Sequence, residues 1–128
     1  MKIEHLAIWA DDIEQLRWFY MHYFQVSCTE KYINAKRNFC SYFLSFGAGT
    51  TRLELMHIPD MGSPESRGNL KGLAHFAIST GSKETVDTLT EKLRADGYKI
   101  AGEPRTTGDG CYESTVLDPE GNCIEITE

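Results

Sequence analysis

Two stretches of the chain alternate apolar with small or polar positions in the same order: "IEHLAIWA" at residues 3–10 and "LAHFAIST" at 73–80. A period of two predicts a strand in each. With His5 laid over His75, "HLAIWADDIEQLRWFYMHYF" aligns with "HFAISTGSKETVDTLTEKLR". In both, the strand gives way to a polar start signal and then to apolar residues at helical spacing. Asp11 or Asp12 caps the first helix, with Ile13, Leu16, Phe19 or Tyr20, and Tyr23 or Phe24 on its buried stripe. Ser82 caps the second, Val86, Leu89 and Leu93 form its stripe, and Gly97 ends it.

Short β-rich runs follow each helix. The first half offers "VSCTEKYI", "CSYFLSF" and "TRLELMHI", the last two joined by "GAG" at 47–49. The second half offers "YKIAG", "CYESTVL" and "NCIEIT", with "DPEG" at 118–121 as a turn carrying proline at its second position. Each half therefore reads strand–helix–strand–strand–strand, an α+β pattern repeated in tandem. The first copy covers 1–58 and the second 73–128. The Pro-, Gly- and Ser-rich segment "PDMGSPESRGNLKG" at 59–72 is the connector. At 128 residues, the whole chain 1–128 suits one domain made of two packed half-units.

The last strands match as well. "RLELM" carries Glu54 and "CIEIT" carries Glu125, so 49 residues separate His5 from Glu54 and 50 separate His75 from Glu125. Alternation puts Ile3, His5, Ala7 and Trp9 on one strand face, and Leu73, His75, Ala77 and Ser79 on another. The opposite faces, Leu6 with Ile8 and Phe76 with Ile78, suit packing under the helices. Glu54 shares its face with Arg52 and Met56, and Glu125 shares its face with Cys123 and Thr127.

A lone histidine on a half-apolar strand is usually a hydrogen-bonded core group, and a glutamate between Leu and Ile usually lies on a solvated face. Both pairs recurring in matching frames favour a site. If each half curls its strands, His5, Glu54, His75 and Glu125 supply two imidazoles and two carboxylates, a ligand set for Zn, Ni, Co, Mn or Fe. His57, three positions after Glu54, faces the other way, and His22 falls within the first helix. Both read as structural or surface groups.

Composition narrows the classes. Net charge is −6, from 13 basic and 19 acidic residues, with no basic cluster to bind nucleic acid or an anionic membrane. No apolar run approaches the roughly 18–20 residues that cross a bilayer. The opening "MKIEHLAIWADD" has Glu4 and no small-residue cleavage signal. Cys28, Cys40, Cys111 and Cys123 form no CxxC pair, so reduced thiols in a cytoplasmic protein are expected.

The "H-x-A-I" strands, "W-F-Y" in the first helix, "R-L-E-L", "G-L-A-H-F-A-I" and "L-D-P-E-G-N-C-I-E-I" together resemble the vicinal oxygen chelate superfamily. Within it, the chain is most similar to the glyoxalase I (lactoylglutathione lyase) branch, over essentially its whole length. The resemblance implies paired βαβββ modules in a cup-shaped, incomplete mixed barrel, commonly a homodimer. It implies one divalent metal, Zn or Ni first, on His5, Glu54, His75 and Glu125. The implied chemistry is isomerisation of the hemithioacetal that a thiol forms with a 2-oxoaldehyde such as methylglyoxal. A proton leaves one carbon and returns to its neighbour through an enediolate, with Glu125 as base and Glu54 able to share the role. Retention of Glu54 favours this branch over thiol transferases and extradiol dioxygenases, which use three ligands. Non-catalytic binders of the bleomycin-resistance kind are the competing class.

Two departures bear on the substrate. The arginine that follows the first histidine by four residues in bacterial glyoxalase I is Trp9 here, and the asparagine four after the first glutamate is Ile58. Both help hold glutathione there, so a thiol other than glutathione is implied. Trp9 either lines the pocket or fills the core. Arg52 offers a bidentate anion contact or a salt bridge. The loop "TTGDGCYES" at 106–114 reads as a lip with Asp109, Tyr112 or Glu113 on substrate, or as a tight turn. Nothing beside Cys111 lowers its pKa, and Cys123 reads as a packing residue.

Overall fold

A computed structural model of the chain describes residues 2–49, 51–62 and 71–128. It divides into two compact units, Met1–Ser63 and Pro64–Glu128. Most of the expected connector, 63–70, lies outside the described residues. The first unit runs β1 (His5–Trp9), α1 (Ile13–Phe24), β2 (Ser27–Cys28), β3 (Tyr32–Asn34), β4 (Phe39–Ser45) and β5 (Arg52–His57). The second runs β6 (Phe76–Ser79), α2 (Lys83–Ala95), β7 (Ile100–Thr106), β8 (Tyr112–Leu117) and β9 (Cys123–Thr127). The fold is α+β, with one mixed sheet per unit and no closed barrel. Among the described residues no helix is long and apolar enough to cross a membrane.

The helices start and stop where local chemistry dictates. The Asp12 carboxylate accepts the backbone N–H of Glu14 at 3.1 Å and of Gln15 at 2.9 Å, satisfying two donors that the first turn leaves orphaned. The Ser82 hydroxyl accepts the Thr85 N–H at 3.2 Å. At the end of α2, Gly97 turns left-handed (φ 89°), and the N–H groups of Gly97 and Tyr98 donate to the carbonyls of Arg94 and Leu93. That reciprocal pair closes the helix because glycine takes positive φ without a Cβ clash.

Sheet order repeats between the units: β1-β5-β4-β2 in the first and β6-β9-β8-β7 in the second. In each, the strand before the helix pairs in parallel with the last strand, and the remaining neighbours are antiparallel. The run 26–33, expected as one strand, is broken into β2 and β3, both paired with β4. Register slips by one residue between Cys28↔Leu44 and Tyr32↔Ser41, and Thr29 spans the break by exchanging hydrogen bonds with the Phe43 backbone. β7 extends past the expected 98–102 to Thr106 and includes Pro104, tolerated because β7 is an edge strand. It irregularly follows β8 near Gly102, where a Cβ would stand 3.2 Å from the Thr115 hydroxyl oxygen.

Each sheet buries one face under its helix. Leu16, Phe19 and Tyr20 of α1, together with Leu44, Leu53 and Leu55, are almost wholly removed from water. In the second unit Val86 and Leu93 join Val116, Ile124 and Ile126. Leu89, expected on the α2 stripe, is half-buried, and Thr90 takes the buried position instead. Its hydroxyl is satisfied by the Val86 carbonyl at 2.7 Å and by Ser114 at 2.6 Å. Apolar burial at about 25 cal/mol per Å² drives this packing. The sheet face away from each helix carries the histidines and glutamates, joined in the first unit by Trp9, Phe43 and Met56.

A polar staple ties α1 to its sheet. The Glu14 carboxylate accepts Lys31 Nζ at 2.9 Å and the Tyr42 hydroxyl at 2.8 Å, with Arg17 at 3.5 Å. The Lys31 bond first, and the Tyr42 bond after it, hold Glu14 below its usual range against the opposing effect of burial. A depressed folded-state value means that its stabilisation is present above the unfolded pKa and is lost as pH falls through the folded one. Glu14→Gln should therefore cost about 0.5–1 kcal/mol at neutral pH, a figure reduced for a half-exposed carboxylate. In urea titrations the gap between the two proteins should close in acid, and a gap that persists there would refute the staple.

Candidate functional site

Parallel pairing fixes where the two histidines stand relative to the two glutamates. In the first unit Ala7 lies beside Glu54, and His5 is two residues earlier on the same face. In the second unit Ala77 lies beside Glu125, and His75 is again two residues earlier. An alanine thus flanks each carboxylate and leaves space above the strand pair for the imidazole to lean across. The His5 Nε2 is 3.7 Å from Glu54 Oε2, and the His75 Nε2 is 3.3 Å from Glu125 Oε2. His75 reaches its place from just outside the sheet, since β6 begins at Phe76 and not at residue 73.

Both pairs lie on the face that the helices leave uncovered. Their strand neighbours Ile8, Leu53, Leu55, Ile78, Ile124 and Ile126 are buried, whereas the His5 and His75 side chains are 40% and 48% exposed. The glutamates are more sheltered, at 15% and 20%. An ion bonded at 2.0–2.1 Å in tetrahedral geometry holds two ligand atoms about 3.4 Å apart. Each pair already spans that bite. Imidazole nitrogen with carboxylate oxygen is also a donor set that Zn, Ni, Co, Mn and Fe accept. Among the described residues, no group of three or more His, Cys, Asp or Glu side chains is arranged to hold a metal ion. The pair in each unit is the unit of the candidate site.

Around the first pair, Glu4 accepts a 2.5 Å hydrogen bond from His5 Nδ1 and is gripped from the other side by Arg52. Those bonds, His5 first, hold the Glu4 carboxyl below its usual range. Arg52 is therefore occupied as a salt-bridge partner, and its guanidinium lies 4.0 Å over the Phe43 ring. Phe43 in turn meets His5 edge-on at 5.5 Å. Trp9 stands beside Met56 on the Glu54 face, is 46% exposed, and makes an edge contact with Phe39 at 6.3 Å. It is not a core residue.

The second pair has a carboxylate neighbour. Glu113 shares a face with Thr115, which pairs with Glu125 on the neighbouring strand. Burial first, then the nearby negative charge of Glu125, pushes the Glu113 carboxyl above its usual range, while Arg105 at 3.7 Å opposes the rise. Cys123 lies on the same face, and burial, then Glu125, raise its thiol. All four cysteines are free.

Tyr112 is not with them. It alternates onto the helix-covered face, where its hydroxyl donates to Asp87 at 2.7 Å and Lys83 sits 5.3 Å over its ring. Residues 107–111 close on themselves: Thr107 N–H donates to the Cys111 carbonyl, its hydroxyl bonds Asp109, and Gly110 takes a φ of 96°. That is the tight turn. His57 Nδ1 donates to the Ala10 carbonyl at 2.8 Å, and His22 stacks on Trp18 at 4.6 Å. The residue missed in the sequence is Glu4. Strict alternation sets neighbours on opposite faces, but β1 begins at His5, and Glu4, whose carbonyl still accepts the Arg52 N–H at 3.0 Å, turns its carboxylate onto the ring.

The sequence profile of the Glyoxalase/Bleomycin resistance protein/Dioxygenase superfamily matches residues 2–126. The uncharacterized protein YwkD of Bacillus subtilis is 31% identical over 129 aligned positions, covering 98% of this chain and 95% of YwkD. YqjT of the same organism, also uncharacterized, is 38% identical over 66 residues, and there the match spans 49% of this chain and about half of YqjT, 52%. Among solved structures, the trypanothione-dependent glyoxalase I of Leishmania major superposes with a TM-score of 0.79 at 22% identity, covering 100% of this chain and 86% of that one. At that identity the likeness is one of fold.

The placement of Tyr112 has a direct test. Tyr112→Phe removes the bond to Asp87 and should lower the melting temperature slightly, while Zn2+ affinity by competition with a chromophoric chelator stays unchanged. A large change in affinity would return Tyr112 to the site.

Proposed function

The chain belongs to the glyoxalase/bleomycin resistance protein/dioxygenase superfamily, and from that footing we propose that it is a metal-dependent lyase or isomerase of the glyoxalase I type. Its substrate would be the hemithioacetal of a 2-oxoaldehyde, methylglyoxal being the simplest, and a small thiol. His5, Glu54, His75 and Glu125 are the proposed ligands of one divalent ion, Zn or Ni before Co, Mn or Fe. The observation that carries the reading is the repeat of one diagonal, histidine two residues before the alanine that flanks a glutamate, in both units. A three-ligand site would not need Glu54 in that place.

A divalent ion on these ligands supplies Lewis-acid stabilisation of the negative charge that develops on the substrate oxygens. The chain's own groups do the rest. Glu125 would take the proton from the former aldehyde carbon, which bears the sulfur, and return it to the neighbouring former ketone carbon, with Glu54 able to share the transfer. Glu113, whose carboxyl feels the charge of Glu125, is the proposed neighbour with which that carboxylate would pass a proton. Trp9 presents an exposed indole on the Glu54 face and is the proposed contact for an apolar part of the substrate.

The same residues argue against a glutathione tail. Trp9 and Ile58 stand where anion-holding polar groups would be expected, and Arg52 is spent on Glu4. The anion-contact role expected for Arg52 is thus not carried forward, and Tyr112 is not either. A different thiol, a homodimeric assembly and a cytoplasmic setting complete the proposal.

The purified protein should retain or take up about one equivalent of Zn2+ or Ni2+ per chain and isomerise methylglyoxal adducts of some low-molecular-weight thiol. Glu125→Gln should cut kcat by about 10²-fold or more, and His75→Ala should abolish metal retention. A protein that takes up metal but turns over no thiol adduct would move the reading to another enzyme of the scaffold. One that takes up no metal would make it a binder.

A further inference from the structure

His5 and His75 occupy equivalent places, yet only one of them has a carboxylate behind it. On the side of the ring away from Glu54, His5 Nδ1 meets Glu4 Oε2 at 2.5 Å. A carboxylate accepts only, so this nitrogen carries the hydrogen and Nε2 is left facing the Glu54 carboxylate at 3.7 Å. At 3.7 Å the two atoms lie beyond hydrogen-bond reach, so Glu54 does not hold a second hydrogen on the ring. Glu4 is itself fixed, since Arg52 grips its other oxygen and is pinned over Phe43, whose ring edge abuts His5. The loop of contacts closes: Glu4 to His5, His5 to Phe43, Phe43 to Arg52, Arg52 to Glu4. Arg52 also sits directly beside His5 in the β1–β5 register, so the clamp is anchored by the same strand pairing that makes the pair. In the second unit the residue before the histidine is Ala74, which offers no acceptor.

We propose that Glu4, clamped by Arg52, is a positioning residue that locks His5 in the tautomer with hydrogen on Nδ1 and the lone pair of Nε2 aimed at the Glu54 side, so that the two modules hold their imidazoles unequally. This rests on the metal-ligand reading of His5 for its consequence, though not for its geometry. A carboxylate that accepts the far N–H of a ligating imidazole fixes the ring orientation and raises its basicity toward the ion. His5 is then the pre-set ligand, and His75, which enters from outside the sheet with no such partner among the described residues, is the adjustable one.

The test uses the full chain in two measurements. Long-range 1H–15N spectra of the imidazoles, recorded without added metal, report the tautomer of each ring. His5 should show one form, with hydrogen on Nδ1. In Glu4→Gln, whose weaker amide acceptor releases the ring, that signature should move toward a mixture, while the His75 signals stay put. Zn2+ affinity by competition with a chromophoric chelator should then fall by about 10- to 100-fold in Glu4→Gln. It should fall no further when Glu4→Gln is added to His5→Ala, because Glu4 acts only through that ring. Glu4 is exposed, so the variant keeps the fold, which circular dichroism checks. Unchanged His5 signals and unchanged affinity in Glu4→Gln would overturn the proposal. So would an equal loss of affinity from Glu4→Gln in the His5→Ala background, which would make Glu4 a general electrostatic contributor. Wild-type protein that binds no Zn2+ but loses the His5 signature on Glu4→Gln would uphold the positioning role and remove the metal reading above it.

Discussion

Parallel pairing of the first and last strand in each unit is the constraint on which the candidate site depends. Side chains alternate strictly along a strand, so once Ala7 is set beside Glu54, the offset of His5 is decided, and Ala77 beside Glu125 decides His75 in the same way. A slip of one residue in either pairing would turn that glutamate toward the helix and turn Leu53 and Leu55, or Ile124 and Ile126, out of the core. Burying an unpaired carboxylate there costs far more than the slip could recover. The hydrophobic core and the polar face therefore enforce one another's register.

The division of labour between the two sheet faces follows. Each unit has one helix, which covers one face, and the apolar residues of the strands are concentrated under it. The other face has no such cover within its unit and carries groups that need solvent or a ligand: two histidines, Glu54, Glu113, Glu125, Arg52 and the indole of Trp9. Nothing in the apolar core requires a carboxylate pair such as Glu113 with Glu125 to sit sheltered from water. It raises the energy of the ionised state. Sites of that kind are where titratable groups do work in enzymes.

Much of this was legible from the chain because the informative residues act locally. Asp12 and Ser82 cap the helices expected of them, Gly97 ends α2, and the "DPEG" turn forms with Asp118 accepting the N–H groups of Glu120 and Asn122. Repeated spacing singles out His5 with Glu54 and His75 with Glu125, which the structure sets 3.7 Å and 3.3 Å apart, and alternation turns His57 from Glu54. What escaped depends on where a strand begins or which way a bulged edge runs. The run 26–33 looks continuous until its pairing with β4 slips at Thr29. Glu4 lies just before β1, where alternation within the strand does not place it, and Tyr112, inside the expected strand "CYESTVL" as well as the 106–114 loop, alternates to the face opposite Glu113. Arg52 suits either an anion contact or a salt bridge, and the partner it takes, Glu4, is 48 positions away.

The account stands on an imidazole from each unit serving one ion, and X-ray absorption of the Zn-loaded protein addresses it most directly. The prediction is a shell of nitrogen and oxygen atoms at about 2.0–2.1 Å with the outer-shell scattering of two imidazole rings. A single ring, or a sulfur shell at about 2.3 Å pointing to Cys123 or another thiol, would contradict it.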